Sequence, residues 1–395
     1  MSKITVAIAG GGIASLSLAA GLIKHSQFDV HIYEAVTEYP DRGGGMALHK
    51  NAILAMELVD PDLKKAYFSR AILLASDEEL ELATQVILAA GPDSGQVVGH
   101  LGRAKGRRTI ARADLLHGWR EIPSERIHFG KKLVDIEEQG TKIELRFQDG
   151  TTAVAECLIG ADGVHSCTRK YLLGADHPAT ALKNHDGWVT YSRQVPWTRP
   201  VRSSGTNGPR MFLFSAAQTL SCGVHRRTAG SDQTDRPFKK EYFAAYNDDS
   251  RAIVELVSRD PSAHWTLQDH DPEPYYYKNN IAMIGDAAHA TMPFAGNGAG
   301  QAIEDAAVLK ALFSRVTDPS QIAKAFAAFD AVRRERSQRV VEISRNFGRL
   351  YSYSLDEVGV DPEKMTRYLT EKGSYLNDVD LEAQNRDAIA LYEAC

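Results

Sequence analysis

The chain opens on an unbroken apolar run, Ile4-Thr5-Val6-Ala7-Ile8-Ala9, rich in β-branched residues. A short run without polar alternation predicts a strand buried on both faces, as in a parallel sheet. Gly10-Gly11-Gly12 follows, then a helical run through Leu16, Ala19, Ala20 and Leu22. A second strand is expected over Asp29 to Tyr33, ending in Glu34. Two later apolar runs also end at glycine and aspartate: Cys157 to Gly160 before Ala161-Asp162-Gly163, and Ile281 to Ile284 before Gly285-Asp286. Residues 175–280 change character. Trp188 to Val195, Arg210 to Phe214 and Ser221 to Arg226 read as short antiparallel strands, separated by Pro/Gly-rich linkers at Pro196 to Pro209 and Thr228 to Pro237. Helices are expected over 301–315 and 319–351. The longer carries Ile322, Phe326, Phe329, Val340, Ile343 and Phe347 at helical intervals, with Arg333-Arg334-Glu335-Arg336 read as a solvated face. The tail after Tyr351 reads as helices and a loop.

The N-terminal order of strand, glycine turn, helix, strand and acid is the arrangement that binds a dinucleotide. Gly10 permits the tight turn, and Gly12 lets a pyrophosphate approach the backbone. The helix N-terminus offers free N–H groups and a positive dipole end. Ser15, at the third small position, allows the helix to pack on the strand, and Glu34 is placed to accept from ribose hydroxyls. This motif alone does not separate NAD from FAD. Gly296, Gly298 and Gly300 open a later helix and set free N–H groups beside an anionic group.

Together, the N-terminal fingerprint, Cys157 to Arg169 and Gly285 to Ala306 resemble the three marker motifs of the single-component flavin-dependent aromatic hydroxylases, in the salicylate-hydroxylase-like branch. The resemblance spans about residues 4 to 310. It implies an α/β fold: a Rossmann-like FAD-binding domain of the glutathione-reductase type, interleaved with an antiparallel-sheet substrate domain, and a helical C-terminal part. The corresponding boundaries are 1–174 and 281–315 for the FAD-binding parts, 175–280 for the substrate domain and 316–395 for the helical region. It implies FAD as cofactor, NADH or NADPH as co-substrate, and O2, which the flavin would activate as a C4a-hydroperoxide that attacks an electron-rich ring. The FAD residues so implied are Gly10, Gly12, Ser15, Glu34, Asp162, Gly163, Asp286, Gly296, Gly298 and Ala299. Arg112, in Ala111-Arg112-Ala113-Asp114-Leu115, resembles the helix-start arginine that reaches the flavin side. Leu133 resembles the strand whose backbone meets the adenine, Arg42 a loop arginine near the FAD, and Pro293 the proline beside the hydroperoxide. Asp162 keeps a second reading, as a turn residue at Asp-Gly. The chain departs from the family at Ala290, Asn297 and Gly300, where Pro, Gln and Asn are common.

Candidates for the substrate are fewer. Tyr191 and Arg193 alternate onto one strand face. If that face looks at the flavin, Arg193 pairs with a carboxylate and Tyr191 with a phenol. His225 is a candidate to deprotonate a phenol, with a surface or satisfied histidine as the alternative. His49 is a weaker candidate near the early glycine loop. Phe212 and Phe214 read as pocket wall or sheet core.

Composition narrows the class. Lys and Arg number 46 against 51 Asp and Glu, a net charge of -5, which argues against nucleic acid. No apolar run reaches about eighteen residues, so no membrane span is expected. The N-terminus has no basic segment ahead of a hydrophobic core, so no signal peptide is read. The cysteines, Cys157, Cys167, Cys222 and Cys395, are too scattered for a disulfide framework or a zinc site, which points to a reducing cytoplasm and no metal. No cysteine precedes Cys157, so a redox pair of the disulfide-reductase type is excluded, and no second complete nucleotide fingerprint is present. The expected protein is a monomeric or homodimeric hydroxylase of a phenolic or aromatic acid, with or without loss of carboxylate. The alternatives are an epoxidising or dearomatising monooxygenase acting on a larger natural product, and a flavin- or nucleotide-binding protein without turnover.

Overall fold

The computed structural model describes residues 3–39, 45–73, 79–119, 122–196, 214–216, 219–227, 239–259 and 264–394. The opening unit is β1 (Ile4–Ala9), α1 (Ile13–Leu22) and β2 (Phe28–Tyr33), as the apolar pattern requires. After α2 (Lys50–Val59) and α3 (Arg112–Gly118) come β3 (Cys157–Gly160) and α4 (Cys167–Leu173). The roof elements follow as β4 (Trp188–Pro196), β5 (Thr219–Arg227) and α5 (Asp248–Ser258). The chain then returns through β6 (Ile281–Met283), α6 (Gly298–Phe313) and α7 (Ile322–Tyr351). It ends in α8 (Pro362–Asn377) and α9 (Leu381–Ala394).

The central sheet has six strands in the order Tyr277–Lys278, β6, β3, β1, β2, Ile127–His128. All are parallel except the first. The strands finish level with one another: Ala9 pairs with Gly160 and Tyr33, and Gly160 pairs with Met283. The glycine turn, Glu34, Asp162 and Asp286 therefore all leave the carboxyl edge of one sheet, where ligands bind in open α/β folds. The core fits the sequence pattern. β1 is almost wholly buried, and Leu16, Leu18 and Leu22 of α1 pack with Ile303, Leu309 and Phe313 of α6 in one cluster. A three-stranded antiparallel sheet, Leu133–Gln139, Lys142–Phe147 and Thr152–Ala155, adds Ile136, Ile143 and Leu145 to the same cluster.

The roof is an antiparallel sheet in the order Phe214–Ala216, β5, β4, His264–Thr266. β4 runs one residue beyond the expected run, and β5 extends its run by two residues before and one after; of the third expected run only Phe214 lies among the described residues. α6 begins three residues ahead of the expected helix, at Gly298, because glycines are tolerated in a first turn whose N–H groups have no helical partner. α7 departs more. Its stripe of Ile322, Phe326, Phe329, Val340, Ile343 and Phe347 is buried, but so are Arg333 and Ser337. These two lie on the same stripe, between Phe329 and Val340. The reading of Arg333 as part of a solvated face is corrected: it is 0% exposed.

Candidate functional site

The glycine turn is required by close approach. Gly10 has φ +97°, and a Cβ there would lie 2.3 Å from the carbonyl oxygen of Ala161. Gly12 stands at the N-cap of α1 and supplies no side-chain cap, so the first-turn N–H groups are left for a ligand. Ser15 is fully buried and its hydroxyl has no hydrogen-bond partner among the described residues. An uncapped helix start beside an unpartnered buried hydroxyl fits a pyrophosphate, since buried polar groups are otherwise satisfied. Glu34 accepts the N–H groups of Gly11 at 2.5 Å and Val36 at 2.9 Å. These bonds fix its carboxylate at the mouth of the turn and leave lone pairs for ribose hydroxyls.

Two side chains converge on this turn. Among the described residues, a Cβ at Gly12 would meet the Arg112 guanidinium, at 3.8 Å. Arg112 begins α3 and is exposed there, and it acts electrostatically on Asp286. Asp286 is exposed yet lies close among protein groups. That enclosure holds its carboxyl above the usual range, against the pull of His289, His270, Arg112 and Arg169. The glycine turn, the cation and the acid come from three separate stretches of chain. They form a donor and acceptor set suited to a phosphate and a polyol.

The third wall is the start of α6. Pro293 and Gly296 are exposed and Gly298 and Ala299 half-buried, and α6 has no side-chain cap. Asn297 is turned inward instead. Its carbonyl accepts from Asn51 at 3.0 Å and Gln301 at 2.9 Å, and its amide reaches His49 at 3.3 Å. A Cβ at Gly300 would lie 2.9 Å from both Asn297 Oδ1 and Asn51 Nδ2. The departure at Gly300 is thus the room that this amide pair needs.

At the other end of the crevice a cavity of about 410 Å³ is lined by Thr37, Tyr39, His117, Ile122, Ile127 and Phe129. Tyr39 and Phe129 meet edge to face at 5.1 Å. Gly130 and Lys131 donate to the carbonyls of Val36 and Glu34 at 2.9 and 2.8 Å, closing the wall just before Leu133. Leu133 itself is buried in the core. A slot with apolar walls beside Glu34 suits a flat base and its ribose.

Several expectations change. Asp162 accepts from the Ser166 hydroxyl at 2.6 Å and from the N–H groups of Cys167 and Thr168 at 2.8 and 3.0 Å. Both oxygens face the start of α4, so this acid shapes its loop and leaves the half-buried Gly163, with φ +75° and open space around it, nearest the crevice. His49 is 4% exposed under Gly296, and burial holds its imidazole neutral, with its pKa lowered to about 3. It is a packing residue, not a base.

The roof reverses the substrate reading. Tyr191 packs with Val189, Phe243, Ile253, Val254 and Val257 against α5, on the outer face. Arg193 lies two residues further along β4. Trp188 and Thr190 occupy the inner face, with the Trp188 ring 4.7 Å from Phe294. The register pairs His225 with Thr190. Phe214 opens the edge strand of this sheet, while Arg42 and Phe212 lie outside the described residues.

Behind the crevice lies a buried polar belt that sequence reasoning missed. His289 meets Asp305 at 2.6 Å. Burial works against the imidazolium, but the Asp305 charge outweighs it and raises the His289 pKa. Arg169 is also fully buried and donates to the Ala287 carbonyl at 3.0 Å, tying the second motif to the third. The only signal in the sequence was position: Arg333 on an apolar stripe, and Arg169 one turn past Ser166.

A crevice that holds a dinucleotide along the carboxyl edge of a parallel sheet, beneath an antiparallel roof, defines a flavoprotein of the FAD-dependent oxygenase type. The family described as the FAD binding domain matches residues 109–344, and the chain belongs to it. It is 36% identical to 6-methylsalicylate 1-monooxygenase of Aspergillus terreus, across 99% of this chain and 93% of that protein. It is 30% identical to a salicylate hydroxylase of Pseudomonas putida, across 98% and 94%. A solved salicylate hydroxylase substrate complex superposes with TM-score 0.81 at 27% identity, covering 98% of each chain. The protein is accordingly an FAD-dependent monooxygenase of the aromatic hydroxylase class. No helix among the described residues is long and apolar enough to cross a membrane.

Proposed function

We propose that the substrate is a salicylate-type aromatic acid and that NADH or NADPH supplies the electrons. The balance is one NAD(P)H, one proton and one O2 consumed per ring hydroxylated, with NAD(P)+ and water formed. Where the attacked carbon bears the carboxylate, CO2 leaves and a second proton is consumed. The observation that carries this reading is the full-length similarity to 6-methylsalicylate 1-monooxygenase. FAD, when bound, takes the electrons from NAD(P)H and makes O2 reactive toward the ring. The chain's own residues hold and enclose. The glycine turn, Ser15 and Arg112 would receive the phosphates, Asp286 the ribityl chain, and the uncapped start of α6 the anionic edge of the reduced ring. Trp188 on Phe294 forms a dry wall beside Pro293, which keeps water from the reacting face. His225, paired in register with Thr190, is our candidate to take the phenolic proton.

The test is NADH and NADPH oxidation by the purified yellow protein with salicylate, 6-methylsalicylate and uncarboxylated phenols. Consumption should rise sharply with a salicylate, and the mass of the product decides whether the carboxylate leaves. A yellow protein indifferent to every salicylate, yet reduced faster by NAD(P)H with a bulkier aromatic, would overturn the substrate class and leave the monooxygenase standing.

A further inference from the structure

Two turns border the flavin end of the crevice: Gly285-Asp286, and Asn297-Gly298 at the start of α6. Each is held from behind by an acid on α6. Asp305 accepts the Gly285 N–H at 2.9 Å and the His289 ring at 2.6 Å. Glu304 accepts from Asn51 at 2.7 Å and Gln301 at 3.0 Å, the same amides that grip Asn297. The two acids are adjacent in sequence and both 0% exposed. Uncompensated, neither would stay ionised there.

One side chain holds both. Arg333 of α7 donates through Nε to Asp305 at 2.8 Å, through Nη1 to Glu304, and through Nη2 to the Gln301 side chain at 2.8 Å. Arg336 adds a second cation on Glu304 at 2.7 and 2.8 Å. Only the flat fork of arginine serves divergent acceptors in this way; a lysine is a point charge. Buried ion pairs contribute little net stability over apolar packing, so a cluster this deep points to geometry.

We infer that Arg333 is a positioning residue for the flavin, fixing the Gly285-Asp286 turn through Asp305 and the Asn297 turn through Glu304 without touching the cofactor. The inference rests on the FAD site described above and is independent of the substrate.

The test compares Arg333→Lys with Ile253→Ala. The second truncates a core side chain under the roof, in a cluster that shares nothing with α6. The readouts are the FAD dissociation constant by flavin fluorescence, the visible flavin spectrum, and Tm. Arg333→Lys should weaken FAD about 10- to 100-fold, the range known for groups that orient metal ligands from behind, and shift the flavin bands. Ile253→Ala should lower Tm and leave FAD affinity unchanged. Asp305→Asn and Glu304→Gln should each give part of the loss, and Arg333→Lys should add little on top of either, as members of one network do. Wild-type FAD affinity and spectrum in Arg333→Lys, with only Tm reduced, would overturn the inference. If that variant does not fold, Asp305→Asn decides: unchanged FAD affinity there overturns it equally.

Discussion

At the carboxyl edge of the parallel sheet, position is set by directed bonds: Glu34 on Gly11, Asp305 on Gly285, Asn51 on Asn297. Under the roof the side chains are placed mainly by shape, with Trp188, Met292, Phe294, Ile343 and Phe347 in apolar contact. Hydrogen bonds fix atoms to a few tenths of an ångström and tolerate almost no change of residue type. Apolar packing tolerates swaps of similar volume. The nucleotide half is therefore rigidly specified, and the substrate half is free to vary in shape.

The largest effect should come from Gly10→Val, which combines a φ of +97° with a Cβ 2.3 Å from the Ala161 oxygen. We expect a loss beyond about 4 kcal/mol and a protein isolated without FAD, read by Tm and flavin absorbance. Trp188→Ala should cost about 3 kcal/mol as a buried aromatic truncation yet leave FAD affinity near wild type, while substrate-stimulated NAD(P)H oxidation falls. Loss of FAD in that variant would break the contrast between the two halves. An intermediate effect follows from pH. The fold prefers neutral His49, whose pKa is lowered to about 3, so in acid the unfolded chain takes up the proton first. This contribution is complete above about pH 6.5 and is lost as pH falls toward the folded value. Tm should decline over that range, and less steeply in His49→Gln. The smallest effect should be Arg146→Ala. Its partners Asp135, Glu137 and Glu144 sit on an exposed sheet face, and Tm should stay close to wild type.

The same division explains what could be read in advance. Glycine turns and strand ends sit at fixed offsets in such folds, so the places of Gly10, Gly12, Glu34, Asp286 and Gly298 at strand ends and helix starts were legible from the chain alone. So were the parallel strands, whose buried apolar runs differ from the alternating runs of the roof. Which face of β4 looks inward was not legible. Tyr191 and Trp188 are both large aromatics, and only the helix α5 packing behind Tyr191 decides between them. Asp162 was legible as an acid at a strand end, but not as a cap for α4, because both uses place the same residue before glycine. Arg333 was misread because a basic cluster on a long helix is usually solvated. The periodicity that carried Phe329 to Val340 already placed Arg333 and Ser337 inside.

The central sheet also sets an order of events in synthesis. β1 lies between β2 and β3, β3 lies beside β6, and the turn after β6 is held by a residue of α6. The site that the first glycines begin therefore waits for more than half of the chain, because β6 and the start of α6 that complete it come from residues 281–313. Ribosomes add about 5–20 residues per second, and such distant strand pairings form slowly. The cofactor site is thus completed late in synthesis, and a chain stalled short of Ile281 would lack β6, the Gly285-Asp286 turn and α6, all of which border it.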